Sequence, residues 1–333
     1  MEEHKLLDAF QAEFDKLRPT KSWPRKLTNS IAHIREFRVA GEKKAKEDLL
    51  QLHTDGIVRI NEDSFPRSEP RQGDVKVTIV LPPEDHETSG RPCIIFCHGG
   101  GMAGSDRYVG LSENSKAWAE TLGAITISVE YGRAPENFND GLAKDCHEAL
   151  LWAWSNPKLV FDRKRMILYG ASAGATLATS TVLMLAQKKK KRLPNLPVLA
   201  GLFLEAPMLN WSCDSESMKR LIKNGPFCNM QFCRLAWDAI IKDKKNVSAF
   251  VSPGEADPED IKSWFPPTAG YVGTMDPLHD EVVEFFAKAG RDDFVCKVVT
   301  GVPHGFDSML PLEEVSIQIK AWRLAWMKEK LSV

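Results

Sequence analysis

From Cys93 onward, short uninterrupted apolar runs take turns with stretches whose apolar residues recur every three or four positions. Cys93-Ile94-Ile95-Phe96-Cys97 is the first run. Ile125, Ile127 and Val129 mark the next, and Met166 to Tyr169, Val198 to Leu204 and Ala269 to Val272 follow. Runs of this length without polar alternation are strands covered on both faces. The stretches between them read as amphipathic helices: Asp140 to Ser155 sets Leu142, Cys146, Ala149, Leu150 and Ala153 on one stripe. Phe294 to Val299 adds a last strand, and Ile319, Trp322 and Trp326 give a terminal helix its buried face. The pattern predicts an α/β chain on a mostly parallel, doubly wound sheet.

Before Cys93 the pattern differs. Residues 1 to 55 read as helical, with Leu7, Phe10, Phe14 and Leu17 on one face that Pro19 should end. Ile57 to Ile60 and Val75 to Ile79 nearly alternate, as antiparallel strands at a half-wet sheet edge do, and the Pro-, Ser- and Arg-rich segment 65 to 73 between them reads as a loop. A second helical insert, 207 to 262, interrupts the strand series. It is rich in Met and aromatic residues (Met208, Trp211, Met218, Phe227, Met230, Phe232, Trp237), and Phe232, Leu235, Ala236, Ala239 and Ile240 share one helical face. The organisation expected is N-terminal helices 1–55, a core in two parts, 56–206 and 263–333, and the insert 207–262. Aromatic and Met-rich surfaces also line small-molecule pockets, which makes Phe232, Trp237 and Met208 candidates for one, with Glu205 at the end of the preceding strand.

Composition narrows the partners. The 333 residues are 43% hydrophobic and carry a net charge of −1, so no overall field recruits nucleic acid or an anionic membrane. The seven cysteines fall at irregular spacings without paired Cys-x-x-Cys units, which reads as reduced thiols and no zinc site. The run Lys188 to Arg192 ends a helix, where cations meet its negative end, and reads as a solvated surface. With neither a leader-like start nor a long apolar span, a cytoplasmic protein without membrane insertion is expected.

The chemistry centres on Gly170-Ala171-Ser172-Ala173-Gly174, where a strand runs into a helix through a serine. Such a turn strains the serine backbone, requires small neighbours, and lifts the hydroxyl above the sheet edge beside unused helix N–H groups. After the first buried strand comes His98-Gly99-Gly100-Gly101. Backbone N–H groups of Gly100, Gly101 and Ala173 are candidates for an oxyanion hole, with His98 and Gly99 supporting the loop.

These motifs, with Tyr-Gly-Arg-Ala-Pro-Glu from Tyr131, Asp276-Pro277-Leu278-His279-Asp280 and His304-Gly305-Phe306, stand in the order seen in hormone-sensitive-lipase-like esterases. From about residue 75 to the end the chain resembles that branch of the α/β-hydrolases. The resemblance implies a triad of Ser172, Asp276 and His304, and a cap made from the N-terminal helices and the insert between the sixth and seventh strands. Two departures stand out: Ala171 and Ala175 replace the usual Asp and Gly at the elbow, and Gly132-Arg133 shifts a basic residue by one.

Read from the residues, a serine needs a base oriented by an acceptor on its far nitrogen. His4, His33, His53 and His86 lie in charged segments, and His147 sits in a helix away from the strand ends. His279 and His304 remain, and His304, just beyond the last strand, fits the chain order Ser, Asp, His. Three acids compete: Asp276 after the strand ending at Gly273, Asp280 in a helix first turn, and Glu205. The expected function is a cofactor- and metal-independent serine carboxylester hydrolase for a small, largely apolar ester or lactone. A receptor-like binder and an acyl-transferring or non-hydrolytic enzyme are the alternatives, and a homodimer is left open.

Overall fold

The computed structural model describes residues 30–68, 71–83, 90–221 and 228–333. The expectations for Leu7, Phe10, Phe14, Leu17, Pro19 and Phe227 fall outside these residues. In chain order the elements are α1 (Ile31–Thr54), β1 (Arg59–Pro66), β2 (Asp74–Leu81), β3 (Cys93–Cys97), α2 (Leu111–Leu122), β4 (Ile125–Glu130), α3 (Gly141–Ser155), β5 (Met166–Ala171) and α4 (Ala173–Lys190). There follow β6 (Gly201–Glu205), α5 (Glu216–Arg220), α6 (Met230–Ile240), α7 (Pro258–Trp264), β7 (Thr268–Gly273), α8 (His279–Ala289), β8 (Phe294–Val299), α9 (Phe306–Met309) and α10 (Glu314–Leu331).

The strands form one sheet in the order β1-β2-β4-β3-β5-β6-β7-β8. Strand β2 runs antiparallel to both of its neighbours, and every pair from β4 to β8 is parallel. This is the mostly parallel sheet expected from the apolar runs, in the α/β-hydrolase arrangement that the resemblance implies: β3 to β7 are buried on both faces, and the antiparallel β1 and the parallel β8 are the edges. Alternation along the strands feeds two cores, with Cys93, Ile95 and Cys97 entering one and Ile94 and Phe96 the other.

Strand boundaries differ from expectation: β1, expected over Ile57 to Ile60, runs from Arg59 to Pro66, and β6, expected from Val198, starts at Gly201. The segment read as a loop from residue 65 begins as strand, since Phe65 pairs with Val75 and Pro66 with Asp74. The Phe65 ring stacks on Trp152 of α3 at 5.3 Å, and that burial carries β1 two residues further than local composition suggests.

The unusual Gly132-Arg133 pair also has a physical account. A Cβ at residue 132 would lie 2.4 Å from the Asn137 side chain, and the Gly132 N–H donates to buried Asp145 at 2.8 Å. Arg133 then reaches the Ser105 carbonyl at 3.0 Å, bracing the loop after the glycine run.

Candidate active site

Ser172 joins β5 to α4 with φ 54° and ψ −121°, a conformation that L side chains rarely adopt. The turn is held from both sides. Its N–H donates to the Glu205 carbonyl at 2.7 Å, and its carbonyl accepts from Ala175 at 2.9 Å. At Gly174 a Cβ would lie 2.1 Å from the Cys97 carbonyl oxygen, so the start of α4 presses directly on the end of β3 and admits only glycine.

The glycine loop lies against this elbow: the Cβ position of Gly99 is 3.5 Å from Ser172 Cβ. Gly101 has φ 63°, which turns the backbone back under α6. His98 is fully buried, with Nδ1 at 2.8 Å from the Gly99 carbonyl. The Tyr131 ring stacks on it at 4.2 Å, and the Tyr131 hydroxyl donates to the His98 carbonyl at 2.7 Å. Burial lowers the His98 pKa to about 4, so the imidazole is neutral and braces the loop.

Across the sheet edge, His304 Nε2 lies 3.0 Å from Ser172 Oγ, and His304 Nδ1 lies 2.7 Å from Asp276 Oδ2. An ionised carboxylate only accepts, so Nδ1 carries the proton and Nε2 is free to accept from the serine hydroxyl. Asp276 is fully buried, and its Oδ1 accepts the Leu278 N–H at 2.9 Å. The two loops that carry these residues are tied together: Thr274 N–H donates to the Val299 carbonyl, Met275 N–H to Val302, and Gly301 N–H to Thr274 Oγ1. Burial pulls the His304 pKa down. The Asp276 charge and hydrogen bond, with the Asp307 charge, outweigh it and leave the pKa raised.

The competing acids have other partners. Asp280 Oδ1 meets His279 Nδ1 at 2.8 Å, and its Oδ2 accepts the Ser217 N–H at 2.7 Å, which ties α8 to α5 of the insert. Glu205 is engaged on the α10 side of the sheet, not turned toward Ser172: its carboxylate pairs with Arg323 and accepts from the Tyr169 hydroxyl. Burial raises its pKa against the Arg323 charge. Tyr271 donates to Asp307 at 2.8 Å in the same buried cluster.

Of the pocket candidates, Phe232 reaches the glycine loop. Met208 is buried, with its carbonyl accepting from Thr176 Oγ1, and Trp237 is buried with its indole N–H unpaired among the described residues. His147 is buried in α3, with a pKa lowered by burial to about 4.

Two residues near the site carried no sequence signal. Cys228, just before α6, places Sγ within 4.8 Å of ligand atoms of both Asp276 and His304, and these three donors suit a soft divalent cation. Arg38 of α1 donates to Ser105 Oγ at 2.6 Å beside the glycine loop. Neither belongs to a motif, and both arrive from segments remote in the chain.

Comparison with known proteins follows the same outline. A protein-family profile described as alpha/beta hydrolase fold matches residues 94–308. Esterase LipI of Mycobacterium tuberculosis (strain ATCC 25618 / H37Rv) is 28% identical over 228 residues, covering 66% of this chain and 67% of the relative. Among solved structures, one titled Bacterial Heroin Esterase superposes with a TM-score of 0.78 at 26% identity, over 91% of this chain and 93% of its own. A hyperthermophilic esterase from the archaeon Pyrobaculum calidifontis superposes with a TM-score of 0.77 at 20% identity, over 96% and 97%. Among the described residues no helix is long and apolar enough to cross a membrane.

Proposed function

The chain belongs to the alpha/beta hydrolase fold family and is a carboxylesterase-type hydrolase, and we propose that it cleaves small, largely apolar esters or lactones through an acyl-enzyme on Ser172. One observation carries the reading: a single imidazole, His304, bridges Ser172 Oγ at 3.0 Å and Asp276 Oδ2 at 2.7 Å.

In the acylation step Ser172 Oγ attacks the ester carbonyl while His304 Nε2 takes its proton. Asp276 keeps Nδ1–H oriented and stabilises the imidazolium that forms. Negative charge gathers on the carbonyl oxygen, and the N–H groups of Gly100, Gly101 and Ala173 receive it. The first N–H groups of α4 have no intrahelical acceptor, so the Ala173 donor is preorganised. Collapse of the adduct expels the alcohol, which takes the proton from His304. A water then repeats the sequence on the acyl-enzyme, with His304 as base and then acid, and releases the carboxylic acid.

The cap in this reading is α1 together with the insert 207–262. Arg35 of α1 donates to the Ala103 carbonyl at 2.8 Å and pairs with Glu136, which holds the helix over the loop that follows Gly101. From the insert, Phe232 covers Gly101 and Cys228 stands beside Asp276 and His304.

The test is a fluorophosphonate probe, peptide mapping of the adduct, and turnover of a chromogenic acetate ester. Labelling at Ser172, with both labelling and turnover lost in a folded Ser172→Ala variant, is the expected result. A folded Ser172→Ala that keeps turning over the ester removes the nucleophile assignment. A wild-type protein that is neither labelled nor active leaves a binding protein on this fold.

A further inference from the structure

Three arginines converge on the loop from Ala103 to Ser105. Arg35 is saturated: it donates to the Ala103 carbonyl at 2.8 Å, to the Ala134 carbonyl at 2.5 Å, and with both terminal nitrogens to Glu136. Arg133 donates to the Ser105 carbonyl at 3.0 Å and has Glu130 and Glu42 at 3.7 and 3.8 Å. Arg38 is different. Its Nη1 donates to the neutral Ser105 hydroxyl at 2.6 Å, and no carboxylate among the described residues lies within ion-pair distance of it. Glu42, one helical turn on, is directed to Arg133 and acts on Arg38 only through its charge.

The Arg38 side chain lies flat along the glycine loop. A Cβ at Gly104 would be 2.7 Å from Arg38 Cδ and 3.3 Å from Nε, and the Gly104 N–H donates back to the Gly100 carbonyl at 3.1 Å. The Arg38 charge is a minor influence that opposes protonation of His98 and of His304, whose pKa Asp276 nonetheless leaves raised. Arg38 is half-buried, and a cation without a carboxylate partner gains from a ligand anion that also accepts its hydrogen bonds. The planar fork of arginine matches a carboxylate, and with Nη1 on Ser105 the Nη2 and Nε donors remain for it.

We propose that Arg38 is a carboxylate subsite beside the glycine loop of the active site, so that the preferred substrate is a small ester that also carries a free carboxylate. This rests on the serine-esterase reading above and names the class of ester. The carboxylate can reside on the acyl side, as in a monoester of a dicarboxylic acid, or on the alcohol side, as in an acylated hydroxybenzoate.

The experiment compares kcat/KM for matched pairs. Mono-4-nitrophenyl glutarate against 4-nitrophenyl valerate tests the acyl side, and 4-acetoxybenzoate against its methyl ester tests the alcohol side. The wild-type protein should favour the anionic member of one pair, and that preference should weaken as salt is added. Arg38→Met should shrink the anionic-to-neutral ratio by about ten- to a hundredfold, with Arg38→Lys between the two.

Absence of any anionic preference in the wild-type protein overturns the proposal. So does a ratio that Arg38→Met leaves unchanged, since Arg38 is then a prop for Ser105. Should Arg38→Met fail to fold, Arg38→Lys and the wild-type salt dependence decide. Failure of the esterase reading itself looks different: none of the four esters is turned over and Ser172 is not labelled.

Discussion

The ring of Phe232 occupies the space that a side chain at residue 101 would need: a Cβ on Gly101 would lie 2.6 Å from Phe232 Cζ. An aromatic residue of the insert thus packs directly on Gly101, whose N–H is proposed for the oxyanion hole. Trp237, five residues on, is almost wholly buried in the core. Phe232→Ala should therefore change the ratio of kcat/KM between bulky and short acyl esters by roughly tenfold or more, because methylene-scale changes of fit are worth about 1–3 kcal/mol. Trp237→Ala should act mainly on stability, by about 3–5 kcal/mol, read as a lowered Tm. An acyl-chain series on both variants decides. Equal loss on all esters in Phe232→Ala would make that ring ordinary packing.

The base must be neutral to take the Ser172 proton, so activity is lost as pH falls through the His304 pKa. That pKa is raised, chiefly because the Asp276 charge and hydrogen bond overcome burial. The acid limb of the kcat/KM profile should then lie above the ordinary imidazole value of about 6.5. Asp276→Asn removes the raising charge, so the limb should move to lower pH while the rate drops by about ten-thousandfold. Asp280→Asn, whose carboxylate caps Ser217, should leave the limb in place. A limb that moves in Asp280→Asn and stays put in Asp276→Asn would exchange the two assignments.

Glu205 gives a contrasting expectation. Its carboxylate neutralises buried Arg323, which also lies 4.0 Å from Asp307 and 2.8 Å from the Tyr169 hydroxyl. Glu205→Gln leaves a buried cation short of its partner and should cost about 3–5 kcal/mol in a denaturation curve. At a temperature where the variant is folded, esterase activity should survive. Loss of activity without loss of stability would return Glu205 to the list of catalytic acids.

A thiophilic cation should inhibit. Cys228, Asp276 and His304 present three donors within 4.8 Å of one another, and a cadmium ion held there would occupy the imidazole that serves Ser172. Micromolar Cd²⁺ should block turnover, EDTA should restore it, and Cys228→Ser should weaken the inhibition. EDTA alone should leave the untreated enzyme's rate unchanged. Equal sensitivity of Cys228→Ser and wild type would place the inhibitory site elsewhere.

How much of this was legible beforehand follows the range of the forces involved. The buried parallel strands were readable because a strand covered on both faces must be apolar at consecutive positions, as Cys93 to Cys97 is. The elbow was readable because a strained serine, here at φ 54°, tolerates only small neighbours, and that constraint is written locally as Gly170 to Gly174. The glycine loop was readable for the same reason. The choice of Asp276 over Asp280 and Glu205 rested on the family resemblance and not on local pattern. Each is an acid near a strand end, and only the three-dimensional path of the loop after β7 puts one of them 2.7 Å from His304.

The tertiary structure alone decided where Arg38 and Cys228 lie, and that β1 continues to Pro66. Arg38 reaches a loop 67 residues away, and Cys228 stands beside Asp276 and His304 from the middle of the insert. Contacts between segments so distant leave no periodicity in either one. A charged residue on a mostly solvated helix such as α1 looks the same in sequence whether it faces water or a buried imidazole. Periodicity along the chain records which face of an element is covered, whereas the identity of what covers it is set by how the elements pack.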